Sequence, residues 1–303
     1  MVMTTSDVAA PEATSKQPDP AILARPSGAF AMLAIDQREA LRAMLAEHGE
    51  GAVSDAQVTE FKLAVARELS PVASAILLDR QFVWDQAVRS QVVVPGCALI
   101  AAADRFIPSA DAFVDDVEID DEVVPQAVAA QGARALKLLV VWRQDEPAIK
   151  RIAMVRKFVA SCRHAGLVSI IEPVAKPPRN GAAFDWDAGV IAAARELGAL
   201  GVDLYKAEMP LHGVGAERDI RAACETLTQT IDSPWVILSS GVEPDHFPRA
   251  VQLACKSGAS GFLAGRAVWR PVIGRPNWQA ALAGEAVERL KRLCEVADEA
   301  VAS

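Results

Sequence analysis

Eight dense apolar runs punctuate the chain, at residues 30–36, 74–79, 97–103, 135–142, 167–174, 203–209, 235–242 and 261–266, with Gly, Pro or Asp recurring at their edges. Leu-rich and β-branched stretches of this length read as strands buried on both faces, as in a parallel sheet. Between them the period becomes helical, over 38–48, 145–165, 187–200, 217–231 and 244–257. Pro147 near the start of the second helix and Gly166 just past its end are placed as helix boundaries prefer. Strands alternating with helices predict an α/β fold, either a closed barrel or an open doubly wound sheet. Two features favour the (β/α)8 TIM barrel. No GxGxxG follows the first strand, and polar residues stand at the C-terminal ends of many strands: Asp36, Asp79, Lys137, Glu172, Lys206, Ser239 and Arg266. A barrel gathers those ends around one mouth, whereas an open sheet concentrates them at a switch point. Residues 1–20, rich in Ala, Ser, Thr and Pro without a period, read as a disordered leader, and 21–303 as a single barrel domain. The acidic stretch 111–121 reads as a solvated excursion between the third and fourth strands.

Composition narrows the partners. With 303 residues, 51% of them hydrophobic, the chain can bury a barrel-sized core. A formal charge of −8 disfavours nucleic acid and anionic membranes as partners. The five cysteines are odd in number, scattered and set in apolar segments, with no CxxC, which fits reduced core thiols in a cytoplasmic protein. No cationic start leads into an apolar run, and the apolar runs fall short of the ~20 residues of a membrane span. The four histidines show no HxH or HExxH spacing, so no metal and no other cofactor is expected.

The candidate chemistry lies in charged residues inside apolar strands. In Asp203-Leu-Tyr-Lys-Ala-Glu-Met-Pro the strand period puts Leu204, Lys206 and Glu208 on one face. If that face lines the barrel, Lys206 is a desolvated amine suited to attack a carbonyl; if not, it is a lysine paired with a carboxylate. Lys137, in Ala-Leu-Lys-Leu-Leu-Val, offers a second buried ammonium or a strand-end lysine reaching solvent. Glu172 closes Leu167-Val-Ser-Ile-Ile-Glu and suits either proton transfer or a salt bridge to one of those lysines. Ser239, Ser240 and Gly241 after the seventh strand, with Gly265 and Arg266 after the eighth, occupy the loops where barrels commonly hold phosphate.

Several stretches occur together and in order: Asp36-Gln-Arg-Glu39, Ile171-Glu-Pro173, Leu204-Tyr-Lys-Ala-Glu-Met-Pro210, Leu238-Ser-Ser-Gly-Val242 and Phe262-Leu-Ala-Gly-Arg-Ala-Val-Trp269. With them the chain resembles the tagatose-1,6-bisphosphate aldolases, a class I barrel family, from about Gly28 to the C-terminal helix. Phe30–Ala40, Ala102–Pro108 and Ile171–Arg179 are most similar to its branch that cleaves 6-deoxy-6-sulfofructose 1-phosphate. The resemblance implies Lys206 as the Schiff-base lysine, Glu172 as the acid/base and Lys137 as a second active-site lysine. It implies Asp36 and Gln37 at the substrate hydroxyls, Ser239 and the backbone around Leu263 and Gly265 at the 1-phosphate, and Arg266 at a substrate anion. The expected partner is a small sugar phosphate, and a homo-oligomer is expected because barrels of this family associate. Trp269 and Trp278 either supply that interface or cover the barrel. The rival readings are a bisphosphate aldolase and a non-catalytic barrel that binds a sugar phosphate.

Overall fold

Strands whose residues are apolar on both faces need two partners, an interior layer and an outer shell, and the chain provides both. The computed structural model describes residues 18–49 and 51–302. Residues 1–17, which hold most of the expected leader, lie outside the described residues. The first elements are β1 (Phe30–Ile35), α1 (Glu39–Ala46), α2 (Asp55–Leu69), β2 (Ala75–Leu78), α3 (Trp84–Ser90) and β3 (Ala98–Ala102). There follow β4 (Asp104–Ile107), β5 (Asp116–Ile119), α4 (Pro125–Ala130), β6 (Ala133–Trp142), α5 (Ala148–His164) and β7 (Val168–Ala175). The second half carries α6 (Trp186–Leu197), β8 (Leu204–Ala207), α7 (Glu217–Thr230), β9 (Trp235–Ile237), α8 (Phe247–Cys255) and β10 (Gly261–Ala264). Three helices, α9 (Arg266–Trp269), α10 (Trp278–Ala281) and α11 (Val287–Val301), end the chain.

The parallel strands close in the order β1-β10-β9-β8-β7-β6-β3-β2, so the barrel expected from the eight apolar runs is the observed fold. Alternate residues fill its interior: Phe30, Met32, Leu77, Ile100, Ile170, Leu204, Val236 and Leu263 belong to one buried cluster. Leu23, fully buried in the 3-10 turn Pro20–Leu23, belongs to the same cluster, so this turn packs as part of the barrel. The other strand faces pack on the helices in a larger cluster. The β1–β10 seam requires a glycine. At Gly261 (φ +137) a Cβ would stand 2.0 Å from the Phe30 carbonyl oxygen.

Trp269 is fully buried, packs edge-on against Phe61 and donates its indole N–H to the Ala34 carbonyl at 2.9 Å. Of the two roles open to it, it covers the barrel. All five cysteines are free and buried. Among the described residues no helix is long and apolar enough to cross a membrane.

One expectation is corrected. The stretch 111–121 is more than a solvated excursion, because β4 and β5 form an antiparallel hairpin of their own, inserted between β3 and β6. Its connecting segment is tied to the barrel by distant cations. Arg143 donates to the Asp115 carbonyl at 2.9 Å and to its carboxylate at 2.8 Å, Arg179 donates to the other carboxylate oxygen at 2.7 Å, and Lys176 Nζ donates to the Val114 carbonyl. Those partners lie 28 to 64 positions along the chain, which is why the local acidity looked like a solvated loop.

Candidate active site

β6, β7 and β8 are consecutive in the barrel, and each directs one charged residue inward above the apolar interior: Lys137, Glu172 and Lys206. Register decides that they meet. Lys137 lies opposite Ile170 and Leu139 opposite Glu172, so the carboxylate stands one inward step above the Lys137 level and reaches both lysines. Glu172 Oε2 lies 3.1 Å from Lys137 Nζ and 3.0 Å from Lys206 Nζ. The two lysines are 0% and 3% exposed, so neither reaches solvent as a strand-end lysine would.

Their surroundings differ. Lys137 Nζ is also 2.6 Å from Asp36 Oδ2 and 2.8 Å from Asp104 Oδ2. Burial works against its charge, but Asp104, Asp36 and Glu172 prevail and hold its pKa well above the usual lysine range. It is a fixed ammonium. Burial likewise opposes the charge of Asp36, yet Lys137, Lys206 and Arg38 keep its carboxyl below the usual carboxylate range. Lys206 has a single carboxylate partner among the described residues, Glu172.

Asp104 is a site residue that sequence reasoning missed. Completely buried at the start of β4, it receives hydrogen bonds from Lys137, from Arg38 at 2.8 Å and from the Leu139 amide at 3.0 Å. Arg38 in turn lies 4.1 Å from the Phe106 ring centre, joining the hairpin to the floor of the site. The signal available in the sequence was a carboxylate directly after the third apolar run. Asp79, a further acid at a strand end, faces a different partner: Lys62 of α2 binds it, and the pair is fully buried.

Above the charged floor opens a cavity of about 560 Å³. Asp36, Gln37, Glu172, Ser240 and Arg266 line it, so five of the expected residues share one cavity. Gln37 Oε1 is buried there without a hydrogen-bond partner. Ser239 is buried beside it, its hydroxyl 3.4 Å from the Ala267 amide. Gly241 (φ +76) sits against the His212 ring, where a Cβ would come within 2.6 Å of Nδ1. The side chain of Leu263 points into the barrel interior, and Gly265 lies beneath the Ala34 carbonyl, so these two can offer only backbone.

The hairpin contributes Phe106, Pro108, Ala112, Phe113 and Val114 as one wall, and the end of β7 adds Val174 and, just past it, Lys176. Four cations line the cavity. Arg38 is paired with Asp104 and Arg105 with Glu118, whereas Arg266 and Lys176 have no carboxylate partner among the described residues. The three carboxylates of the floor converge on an ammonium, and among the described residues no group of three or more His, Cys, Asp or Glu is placed to hold a metal ion.

The chain is similar to known proteins over most of its length. Residues 30–271 match the family described as DeoC/LacD family aldolase. The tagatose 1,6-diphosphate aldolase of Listeria monocytogenes serotype 4a (strain HCC23) is 30% identical over 271 residues, covering 82% of this chain and 79% of that protein. Tagatose 1,6-diphosphate aldolase 1 of Streptococcus pyogenes serotype M3 (strain ATCC BAA-595 / MGAS315) is 26% identical over 270 residues, covering 80% and 81%. Among solved structures, an archaeal fructose 1,6-bisphosphate aldolase superposes with a TM-score of 0.63 at 14% identity, over 92% of this chain and 98% of that one. The fructose-bisphosphate aldolase of Plasmodium falciparum gives 0.65 at 14%, over 95% and 96%. These structural likenesses are of fold.

Proposed function

Because this chain belongs to the DeoC/LacD family of aldolases, we propose that it cleaves a ketose phosphate through a Schiff base on Lys206, with Glu172 moving the protons. The supporting observation is the contrast between the two buried lysines. Lys137 is held by three carboxylates as an ammonium, while Lys206 has one partner, itself a proton acceptor 3.0 Å away. A nucleophile needs its lone pair, so Lys206 attacks and Lys137 supplies fixed positive charge.

The Lys206 amine adds to the C2 ketone, and Glu172 passes a proton to the departing hydroxyl, which leaves as water and gives the iminium. The C4 hydroxyl then yields its proton to Glu172 as C3–C4 breaks. The iminium takes up the electron pair as an enamine, and an aldehyde departs. Protonation at C3 and hydrolysis free dihydroxyacetone phosphate and the lysine. Asp36 and Gln37, on the cavity wall beside Glu172, face the hydroxyls, and Arg266 with the loop at Ser239 and Ser240 receives a substrate anion.

As substrate we propose 6-deoxy-6-sulfofructose 1-phosphate, split into dihydroxyacetone phosphate and sulfolactaldehyde in the breakdown of sulfoquinovose. The motif resemblance favours it, and so does the sparse charge of the hairpin wall, which is apolar apart from Arg105, itself paired with Glu118. A sulfonate carries one negative charge and a phosphate close to two at neutral pH. The second reading, tagatose 1,6-bisphosphate, is favoured by the names of the relatives at 30% and 26% identity. Two measurements test these readings. Borohydride should trap dihydroxyacetone phosphate on the enzyme and fail to do so in Lys206→Ala; undiminished trapping would move the nucleophile elsewhere. Cleavage of the sulfosugar beside both bisphosphates, followed as dihydroxyacetone phosphate, should favour the sulfosugar by at least tenfold in kcat/KM.

A further inference from the structure

Arg266 and Lys176 are the two cavity-lining cations that make no salt bridge to a carboxylate among the described residues, and they approach from different sides. Arg266 follows β10, and Lys176 follows β7, with β8 and β9 between them in the ring. The reacting pair Lys206 and Glu172 comes from β8 and β7 on the cavity floor. A substrate that carries an anion at each end needs a cation at each end. We infer that Lys176 is the specificity-determining residue that binds the anion on the far end of the substrate, the end released with the aldehyde. This assignment rests on the Schiff-base aldolase reading and holds for either a sulfonate or a phosphate at that end.

The contacts of Lys176 support a binding role over a merely structural one. Its ammonium donates to a neutral acceptor, the Val114 carbonyl. The hairpin tip does not depend on that bond, since Arg143 and Arg179 already grip both oxygens of Asp115 and Arg143 also bonds its carbonyl. Exchanging the carbonyl for an anion therefore costs one neutral hydrogen bond and leaves the tip anchored. The exchange gains a charge-assisted bond in a half-buried site, where such bonds are stronger. Burial and the adjacent Arg143 push the lysine's pKa down, against the pull of Asp115 and Glu208, so an arriving anion supplies the direct counter-charge that neither carboxylate gives by contact.

The test compares Lys176→Met with the unsubstituted enzyme on two substrates that share the 1-phosphate, 6-deoxy-6-sulfofructose 1-phosphate and fructose 1-phosphate. The ratio of their kcat/KM values should fall about 10- to 100-fold in Lys176→Met, the loss expected for one charge-assisted bond, and mostly through KM. Lys176→Arg should restore most of the ratio. Equal losses on both substrates, or an unchanged ratio, would overturn the assignment. If a bisphosphate proves the better substrate of the unsubstituted enzyme, the sulfosugar reading fails. The ratio of fructose 1,6-bisphosphate to fructose 1-phosphate then decides the role of Lys176 by the same criterion. Loss of borohydride trapping in Lys206→Ala separates failure of the Schiff-base reading from failure of this one.

Discussion

Two positions beyond Lys206, Glu208 leaves the strand face and turns to the end of the neighbouring strand β7, where its Oε2 accepts the Ala175 amide at 2.8 Å. Burial, reinforced by Glu172, raises its pKa to about 8, with the bonds from Ala175 and Trp186 opposing. Between its ordinary value of 4.5 and about 8 the folded chain keeps a proton that the unfolded chain has released. Unfolding then loses a proton, so this group's contribution to stability is whole below that window and declines as pH rises through it. Unfolding free energies measured in denaturant from pH 5 to 9 should show the decline, and Glu208→Gln should remove it. A variant as steeply pH-dependent as the parent would remove Glu208 as its source. Lys206 and Glu172 were legible in the sequence because a charge inside an apolar strand stands out against its neighbours. Asp104 was not, since it looks like an ordinary strand terminus. Its role comes from Arg38 and Lys137, 66 and 33 positions away, and only closure of the barrel brings them to it.

At the scale of elements, the eight strands follow from apolar runs, because burial on both faces leaves no polar alternation to misread. Their ends are less legible. The runs 203–209, 235–242 and 261–266 shorten to β8, β9 and β10, since Glu208, Ser239 and Arg266 leave the ladder to build the mouth. The β4–β5 hairpin is the element the sequence concealed, and Asp115 is its fastening. Asp115→Ala should loosen the tip while the barrel stays folded. Protease should cut within 108–115 about tenfold faster, and KM should rise several-fold. The Tm should fall by less than about 4 °C, because partly exposed ion pairs contribute at most about 1 kcal/mol each. A fall of 10 °C without faster cleavage would instead make the hairpin part of the global fold.

The whole molecule depends on ring closure, in which each strand is bonded on both sides and no edge remains. Gly261 is a tight point of that ring, facing the Phe30 carbonyl across the β1–β10 seam. Gly261→Ala should cost at least about 3 kcal/mol, a drop in Tm on the order of 10 °C, or prevent soluble expression. A variant within 2 °C of the parent would show that the seam can spread. The hairpin stands outside this ring, for β4 and β5 pair with each other and with no barrel strand. The segment 104–119 is thus an exchangeable cartridge: its sequence can drift without breaking a rung of the barrel, and with it the wall that it gives the cavity. Asp104, which accepts from Lys137 and the Leu139 amide, and Phe106, which packs on Arg38, join the cartridge to the charged floor. New substrates can therefore be acquired by rewriting a hairpin, provided that these joints and the Asp115 fastening are kept.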